Sequence, residues 1–474
     1  MVYLIGAGCG NKDLITVKGL FILSQADCVI YDRLIDPALL KVTKETCERI
    51  YVGKENCHHI LSQDKIIELI IEKSKQYRTV VRLKGGDSYV FGRGGEEGIA
   101  LYNSNIPFEV IPGIPSFIGG LAYAGIPITH RGVSMGIHIL TAHGKNNEPL
   151  NIDFSTIQDN ETTVFMMGLS KLEEIVSNLL NFKPATFPIA LISNGTTIHQ
   201  KVLISTLGNI IKDYQQSFIE SPCLIVVGNV VDLHKQLDFY SRKPTIAFPR
   251  VSNEESSLYQ SLVLDGYQVN QYYVSSLKRI KNDFPDLKKY THILFSSKFG
   301  VDCFMAELKR NKVDFRNLAS LKFCVIGKST GNQLIQYGIY PDYCPEYYTS
   351  QDLCTLLLNE LDENSSLLIC KVEGEVEKWN ELKNKFKVET LDLYKNVSNN
   401  IELDIQEKAI VFTCSSAVHE TLSKTKLKKD TVIYSIGPKT SQTIESYGYT
   451  CIQSKQADFA SLVECIESTL KISK

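Results

Sequence analysis

Short β-branched apolar runs alternate with helical patterns through the first half of the chain, which predicts parallel strands joined by crossover helices. Val2–Ile5, Cys28–Tyr31, Thr79–Leu83 and Phe108–Ile111 read as buried strands. Between the first two, Leu14, Val17, Leu20 and Phe21 recur at helical spacing and predict a helix. Ile137–Thr141, Thr163–Met166, Ile189–Ile192 and Leu224–Val227 continue the strand series. The polar run Ser241–Lys243 and Pro244 then separate this pattern from a fresh strand, Thr245–Phe248, and put a boundary near Leu237–Pro244.

The second half contains an internal repeat. Ile326–Gly338 reads IGKSTGNQLIQYG and Ile436–Gly448 reads IGPKTSQTIESYG, agreeing at the first two positions, the Thr, the Tyr and the final Gly. Each copy follows a strand ending in small polar residues, Ile293–Ser297 (ILFSS) and Ile410–Cys414 (IVFTC). One such match would be ordinary between any two βα units. Two matched blocks in the same order predict a duplicated α/β lobe with a cleft between the copies.

Length and composition narrow the class. A chain of 474 residues exceeds what one core holds, so several compact lobes are expected. With 43% hydrophobic and 22% charged residues and a formal net charge of −2, the profile is that of a soluble globular protein. It carries no basic excess of the kind nucleic acid requires. Thirteen cysteines stand without a CxxC pair, and no charged region precedes Val2–Ile5. Reduced thiols, a cytoplasmic location and no signal peptide are the expectations. No stretch approaches about 18 uncharged apolar residues, so no membrane span is expected.

Gly6-Ala7-Gly8-Cys9-Gly10 leaves a strand and enters a helical pattern, so backbone N–H groups there can approach a ligand. Asn11 stands where a dinucleotide fingerprint needs its third glycine, although Asp32, about twenty residues on, could serve as a ribose-binding acid. An NAD-dependent oxidoreductase therefore stays open as an alternative. Lys84-Gly85-Gly86-Asp87, followed by Phe91-Gly92-Arg93-Gly94-Gly95-Glu96-Glu97, is more specific: two glycine clusters after a strand let a loop pass close to a flat ligand, beside the plain alternative of a glycine-rich surface loop. Pro112-Gly113-Ile114-Pro115-Ser116 opens a small-residue helix through Gly119, Gly120 and Ala122, which ends at Gly125-Ile126-Pro127-Ile128-Thr129-His130-Arg131-Gly132.

On these motifs, residues 2–237 resemble the uroporphyrinogen-III C-methyltransferase family. The matching segments, in order, are VYLIGAGCG, DCVIYDRLI, YVGK, VVRLKGGDSYVFGRGGEE, VIPGIPS, AYAGIPITHRG, VFMMG, SNGTT and VVGNVV. The resemblance implies S-adenosyl-L-methionine as cofactor, with S-adenosyl-L-homocysteine as its product. It implies a site formed by the Gly85-Gly86-Asp87 loop, Val90, Pro115, Ser116, Met167 and Gly195, with Cys9 nearby. The family usually has proline at Cys9, Pro-Phe at Ser88-Tyr89, Thr-Ala at Pro115-Ser116 and glycine at Ala142, and the third departure puts side-chain contacts to the cofactor in doubt there. By the same analogy Asp32 is the base that removes a proton from the macrocycle and Lys54 the acid, with a helix cap or ion pair and a solvated surface lysine as the plain alternatives. Joining a sulfonium methyl to a pyrrole carbon is largely a positioning task. A substrate with eight carboxylates also needs a basic cleft, for which Arg33, Arg82, Arg93 and Arg131 are the candidates, each open to a purely structural role. The family's methyltransferases tend to pair, so a homodimer through this half is expected.

Residues 244–474 resemble uroporphyrinogen-III synthase through ILFSSKFGVDCF, CVIGKSTGNQLIQYG, CPEYYTSQDL, LDLYKNV, IVFTCSSAV and YSIGPKTSQTIESYG. The fold class expected is α/β throughout: a two-lobed tetrapyrrole methyltransferase fold (lobes about 1–113 and 114–240), then a two-lobed synthase fold (lobe one about 244–278 plus 400–474, lobe two about 282–394). Closing hydroxymethylbilane with inversion of its last pyrrole mainly requires one folded geometry, because the hydroxyl leaves easily. A cleft of hydroxyls and N–H groups from Ser296, Ser297, Ser329, Thr330, Ser416, Lys439 and Thr440 suits that task. Tyr394 matches the family tyrosine nearest the leaving hydroxyl and is the proton-donor candidate, against a hinge tyrosine packed between lobes. The expected overall function makes uroporphyrinogen III and methylates it twice to precorrin-2. The alternatives are a methyltransferase on another corrin precursor, or on RNA, with a C-terminal two-lobed ligand-binding module such as a sensor. His58-His59 lack a second ligand pair at zinc-like spacing, so no metal is expected, and no segment resembles the dehydrogenase and chelatase module of sirohaem synthesis.

Overall fold

The computed structural model describes residues 1–44, 46–53, 62–142, 152–251, 256–281, 283–346, 349–374 and 379–471. Lys54, His58 and His59 fall outside the described residues. The chain divides into two units, Met1–Pro244 and Thr245–Lys471.

The first unit holds two five-stranded sheets. Strands β1 (Val2–Gly6), β2 (Cys28–Tyr31), β3 (Glu48–Tyr51), β4 (Val80–Lys84) and β5 (Phe108–Ile111) are all parallel, in the order β3-β2-β4-β1-β5. Helices cover both faces, which is why β1, β2 and β4 are near-continuous runs of Val, Ile and Leu. β3, with sequence ERIY, is an edge strand whose polar residues hide it from a reading of apolar runs.

The helix predicted between β1 and β2 forms at Val17–Ser24, capped by Thr16, whose Oγ1 accepts from the Gly19 N–H at 3.1 Å. It docks on a different face from the stripe that signals it. Val17 and Phe21 are 88% and 65% exposed, while Gly19, Ile22 and Leu23 are buried. The segment VKGLFILS is apolar nearly all round, and Gly19 decides between faces because it lets the helix close onto Ile5, whose Cγ2 a Cβ there would meet at 3.1 Å.

The second sheet, β6 (Gly136–Thr141), β7 (Glu161–Met166), β8 (Pro188–Ser193), β9 (Lys201–Thr206) and β10 (Cys223–Val227), has the order β6-β7-β10-β8-β9. Only β6 and β7 pair in parallel, so the expectation of parallel strands throughout the first half is corrected here. The β8–β9 connection is too short for a crossover helix and makes an antiparallel hairpin.

The second unit runs through β11 (Thr245–Arg250), β12 (Gln268–Tyr273), β13 (Ser275–Arg279), β14 (His292–Phe295), β15 (Lys322–Val325), β16 (Ser366–Val372), β17 (Lys387–Ser398), β18 (Ala409–Phe412), β19 (Val432–Ser435) and β20 (Ile452–Gln453). One sheet is fully parallel, β12-β11-β18-β19-β20, and the other is β13-β17-β16-β14-β15 with β13 antiparallel. β13 pairs along its whole length with β17, so residues 275–278, expected with the first lobe, belong to the middle one. The repeat is visible in three dimensions. β14 and β15 lead into helices Lys298–Arg310 and Lys328–Gln336, as β18 and β19 lead into Ser415–Leu422 and Pro438–Ser446.

The docking of the first helix can be checked directly. Phe21→Ser is expected to change stability by less than about 0.5 kcal/mol, and Ile22→Ala to cost about 2–4 kcal/mol. Urea unfolding of the two variants measures this, and the reverse ranking would reject the assigned face.

Candidate functional sites

The four best-marked motifs of the first half all leave the carboxyl edge of the parallel sheet. β2 leads out to β3 on one side and its neighbour β4 leads to β5 on the other, so the loops after β2 and β4 part at a switch point where such folds place ligands. Backbone pairing continues past the strand ends: the Gly8 and Gly86 N–H groups each donate to the other's carbonyl, at 3.2 and 2.7 Å. The third loop closes on them through glycine alone. A Cβ on Gly6 would lie 2.5 Å from the Gly113 nitrogen and 2.6 Å from the Gly86 oxygen, and one on Gly113 would collide with that same oxygen. Asp87 staples the arrangement, its Oδ2 accepting from the Gly113 N–H at 2.9 Å and its Oδ1 from the Tyr89 N–H at 2.8 Å. Its carboxylate therefore shapes the loop, while the residue stays partly exposed. Gly86, at φ +71°, faces Pro115 and the Ser116 nitrogen at 3.7 and 4.0 Å from where its Cβ would be, so these three form one cradle, while the neighbouring Gly85 packs against Leu34.

From that cradle the helix Ser116–Tyr123 runs along the seam between the two sheets of this unit. A Cβ on Gly119 would strike the Cys9 sulfur, and one on Gly195 would meet the Gly120 Cα at 3.0 Å. Burial pushes the Cys9 thiol up, so it packs as a neutral group. The seam's clasp is Thr196, which sequence reasoning passes over. It is 1% exposed and sits at φ +70°, where a β-branched residue is strained by about 1–3 kcal/mol. Its hydroxyl donates to the Cys9 carbonyl and accepts from the Asn11 N–H at 3.1 Å, its N–H donates to Gln200 Oε1 at 2.7 Å, and its carbonyl accepts from the Tyr240 hydroxyl at 3.2 Å. Met167, at φ +55° and 49% exposed, leaves the same edge of the second sheet as Gly195. Val90 is half-buried in the loop after β4.

The charged candidates divide. Asp32 stands at the end of β2 with its side chain 27% exposed, accepting from the Leu34 N–H at 3.2 Å and from Arg82 Nη2 at 3.4 Å. Arg82 is 3% exposed and paired with the buried Glu97, so it is withdrawn from any open cleft and its expected contact with substrate is corrected. Arg33, Arg93 and Arg131 are exposed on three different loops, and Arg93 forks onto Glu96 at 2.8 and 2.7 Å. Among the described residues no group of three or more His, Cys, Asp or Glu could hold a metal, and no helix is long and apolar enough to cross a membrane.

In the second unit Ser296 and Ser297 end β14, Ser329 and Thr330 follow β15, Ser416 follows β18, and Lys439 and Thr440 follow β19, each at a helix start. Ser329, Ser416 and Lys439 are exposed, whereas Thr330 and Thr440 are 7% and 5% exposed. The two threonines are buried at the starts of their helices, to the same degree as Tyr394. Tyr394 on β17 is 6% exposed, with its hydroxyl 2.7 Å from Ser297 Oγ and its ring edge-on to Phe299. Burial pushes its phenol up. Ser297 Oγ also accepts from the Gly300 N–H at 3.0 Å and so caps the helix behind it.

The fold and these two site regions define a fused pair of tetrapyrrole enzymes, and comparison with known proteins agrees. Residues 1–211 match the Tetrapyrrole (Corrin/Porphyrin) Methylases and residues 269–464 match Uroporphyrinogen-III synthase HemD. The porphyrin biosynthesis protein HemD of Ruminiclostridium josui is 33% identical over 488 residues, covering 98% of this chain and 97% of that one. The chain belongs to that family, with a methyltransferase half and a uroporphyrinogen-III synthase half, and serves tetrapyrrole biosynthesis. The siroheme synthase of Hahella chejuensis is 44% identical over 238 residues, 50% of each chain, so this chain spans about half of that relative. Among solved structures, uroporphyrin-III C-methyl transferase from Thermus thermophilus complexed with S-adenyl homocysteine is 31% identical, covering 49% of this chain and 99% of that one with TM-score 0.43. A mutant uroporphyrinogen III synthase from the same thermophilic bacterium is 14% identical, covering 48% of this chain and 100% of that one, with TM-score 0.38.

Because the Gly113 Cβ would face backbone atoms that cannot swing away, Gly113→Ala is expected to cost about 1–3 kcal/mol. Chemical denaturation reads it, and an unchanged midpoint would show that the three loops are not in the close contact described.

Proposed function

We propose that the chain cyclises hydroxymethylbilane to uroporphyrinogen III in its second unit and methylates that product twice, to precorrin-2, in its first. The observation that carries the methylation is the cradle of Gly86, Pro115 and Ser116, closed by Gly113, with Gly85 packed on Leu34, whose N–H donates to the partly exposed carboxylate of Asp32. A cradle whose backbone carries no side chain at Gly86 suits a ligand that must lie against the chain, and S-adenosyl-L-methionine fits it, with Cys9, Val90, Met167 and Gly195 along the adjoining seam. When bound, it supplies the methyl carbon of its sulfonium.

The chain's own task is to hold the pyrrole carbon in line with that methyl, exclude water and take up the proton that the methylated ring carbon loses. Asp32 is the acceptor for that proton. Lys54 is the corresponding donor, and Arg33, Arg93 and Arg131 hold substrate carboxylates. In ring closure Tyr394 donates a proton to the departing hydroxyl, which leaves as water. Its raised phenol keeps the proton at neutral pH, and Ser297 aims it. Ser296, Ser329, Ser416 and Lys439 hold the carboxylates of the folded bilane. A homodimer through the first unit and a cytoplasmic location belong to the same reading.

Supplying hydroxymethylbilane and S-adenosyl-L-methionine to the whole protein should give a dimethylated product by mass and absorbance. Product formed only from added uroporphyrinogen III would reject the role of the second unit. Asp32→Ala should abolish methylation and spare ring closure, and equal loss of both would argue against separate sites. Tyr394→Phe should slow cyclisation at least about tenfold with methylation of supplied uroporphyrinogen III intact, and a full cyclisation rate would remove Tyr394 from the chemistry.

A further inference from the structure

We infer that Glu97, sealed beneath the first sheet's carboxyl edge, is a positioning residue for methyl transfer, acting through Arg82 to fix the carboxylate of Asp32. The inference rests on the reading of Asp32 as proton acceptor.

Glu97 lies on the inner face of the helix Gly94–Asn103, four residues before the buried Leu101, and is 0% exposed. A carboxylate in such a place has to be neutralised by cations brought to it. One of its oxygens, Oε1, receives Arg82 Nε at 3.3 Å, Lys84 Nζ at 3.0 Å and Gln63 Nε2 at 3.1 Å. The other, Oε2, has no hydrogen-bond partner among the described residues. The three donors converge on the oxygen that faces β4.

Arg82 carries this anchorage outward. With Nε on Glu97, its Nη1 donates to the carbonyls of Ile30 and Leu83 at 3.3 and 3.2 Å, which fixes the plane of the guanidinium. Nη2 is left pointing at Asp32 Oδ2, 3.4 Å away. Because the fork is rigid, the position of Nη2 is set by the atoms that hold Nε and Nη1. The Leu34 N–H takes the other oxygen of Asp32, so the carboxylate has one orientation.

The charges close as a set. Arg82 and Lys84 face Glu97 and Asp32, and Gln63 adds a neutral donor. Burial, and next the neighbouring Arg82, push the Lys84 ammonium down, and the adjacent Glu97 opposes that shift. Removing the charge of Glu97 leaves two buried cations with Asp32 as the nearest anion, and both then pull it inward, away from the edge where a substrate proton would be taken.

Glu97→Gln in the full-length chain, which preserves the side chain's shape, tests this. The kcat for methylation of uroporphyrinogen III should fall about 10- to 100-fold, the loss expected when a reacting group is misplaced by an ångström or so. KM for the tetrapyrrole and for S-adenosyl-L-methionine should stay within about twofold, with ring closure in the second unit unchanged. The loss should also be absent in an Asp32→Asn background, where the double variant is no slower than Asp32→Asn alone. A wild-type kcat, a loss carried by KM, or a loss that multiplies with that of Asp32→Asn would overturn the inference while leaving the role of Asp32 standing. Asp32→Asn at full rate would overturn both. If Glu97→Gln gives no cooperative thermal transition, Arg82→Lys takes its place with the same expected and overturning results, because one ammonium cannot reach both carboxylates.

Discussion

Everything in the first unit's site hangs on the contact of three backbones at Gly6, Gly86 and Gly113. Parallel strands end in loops that normally splay apart, and side chains would keep them apart. With no Cβ on Gly6 or Gly113 and with Gly86 at φ +71°, the loops after β1, β4 and β5 close to backbone contact, and the Gly8–Gly86 pairing extends the sheet where strands β1 and β4 would otherwise separate. The Asp87 carboxylate then ties the third loop to the second. The helix beginning at Ser116 starts from a fixed point, and its direction along the seam follows.

That direction determines how the two sheets of the unit meet. Small residues at Gly119, Gly120 and Gly195 remove the spacing that side chains impose, and the gap closes on Cys9 and Thr196. The strained backbone of Thr196 is tolerated because four hydrogen bonds hold it from both sides of the seam. A half-exposed cradle and a rigid seam are thus one construction, since loosening the glycine contact would release the helix that carries the seam.

The legible part of this molecule was what period and turn chemistry encode. β1, β2, β4 and β5 carry short runs of Val, Ile and Leu and announce themselves, and the duplicated βα units of the second unit show in the sequence because both copies keep the same Ile-Gly start and the same turn glycine. What stayed hidden depends on partners distant in sequence. The face of the helix Val17–Ser24 is chosen by Gly19 meeting Ile5, although Val17, Leu20 and Phe21 carry the stronger periodic signal. Arg82 reads as a strand-end cation suited to a polyacid, but a buried Glu97 fifteen residues later claims it. The sign available was Glu97 itself, an acid on the same helical face as Leu101, which asks for a buried cation to match. Thr330 and Thr440 were legible as a repeated pair, yet their burial is set by helix packing that spacing does not reveal.

The two units divide their chemistry in a way their construction explains. In the second, the groups at the strand ends named above are hydroxyls, helix N-termini and exposed lysines, with the buried phenol of Tyr394 beside Ser297. Such a surface can hold carboxylates in a shape without exchanging protons with the ring, which suits a reaction whose leaving group departs readily and whose outcome depends on geometry. In the first, the strand ends carry full charges in a chain from Glu97 through Arg82 to Asp32, two of them buried and the last partly exposed. Charge sunk beneath a site is costly, and it is retained where a carboxylate must stay ionised, oriented and close to a carbon acid while the surrounding loops exclude water. Shape alone would serve ring closure, but a carbon that must lose its proton needs a base whose position does not drift, and the role proposed for Asp32 draws on the support that Glu97 gives it through Arg82.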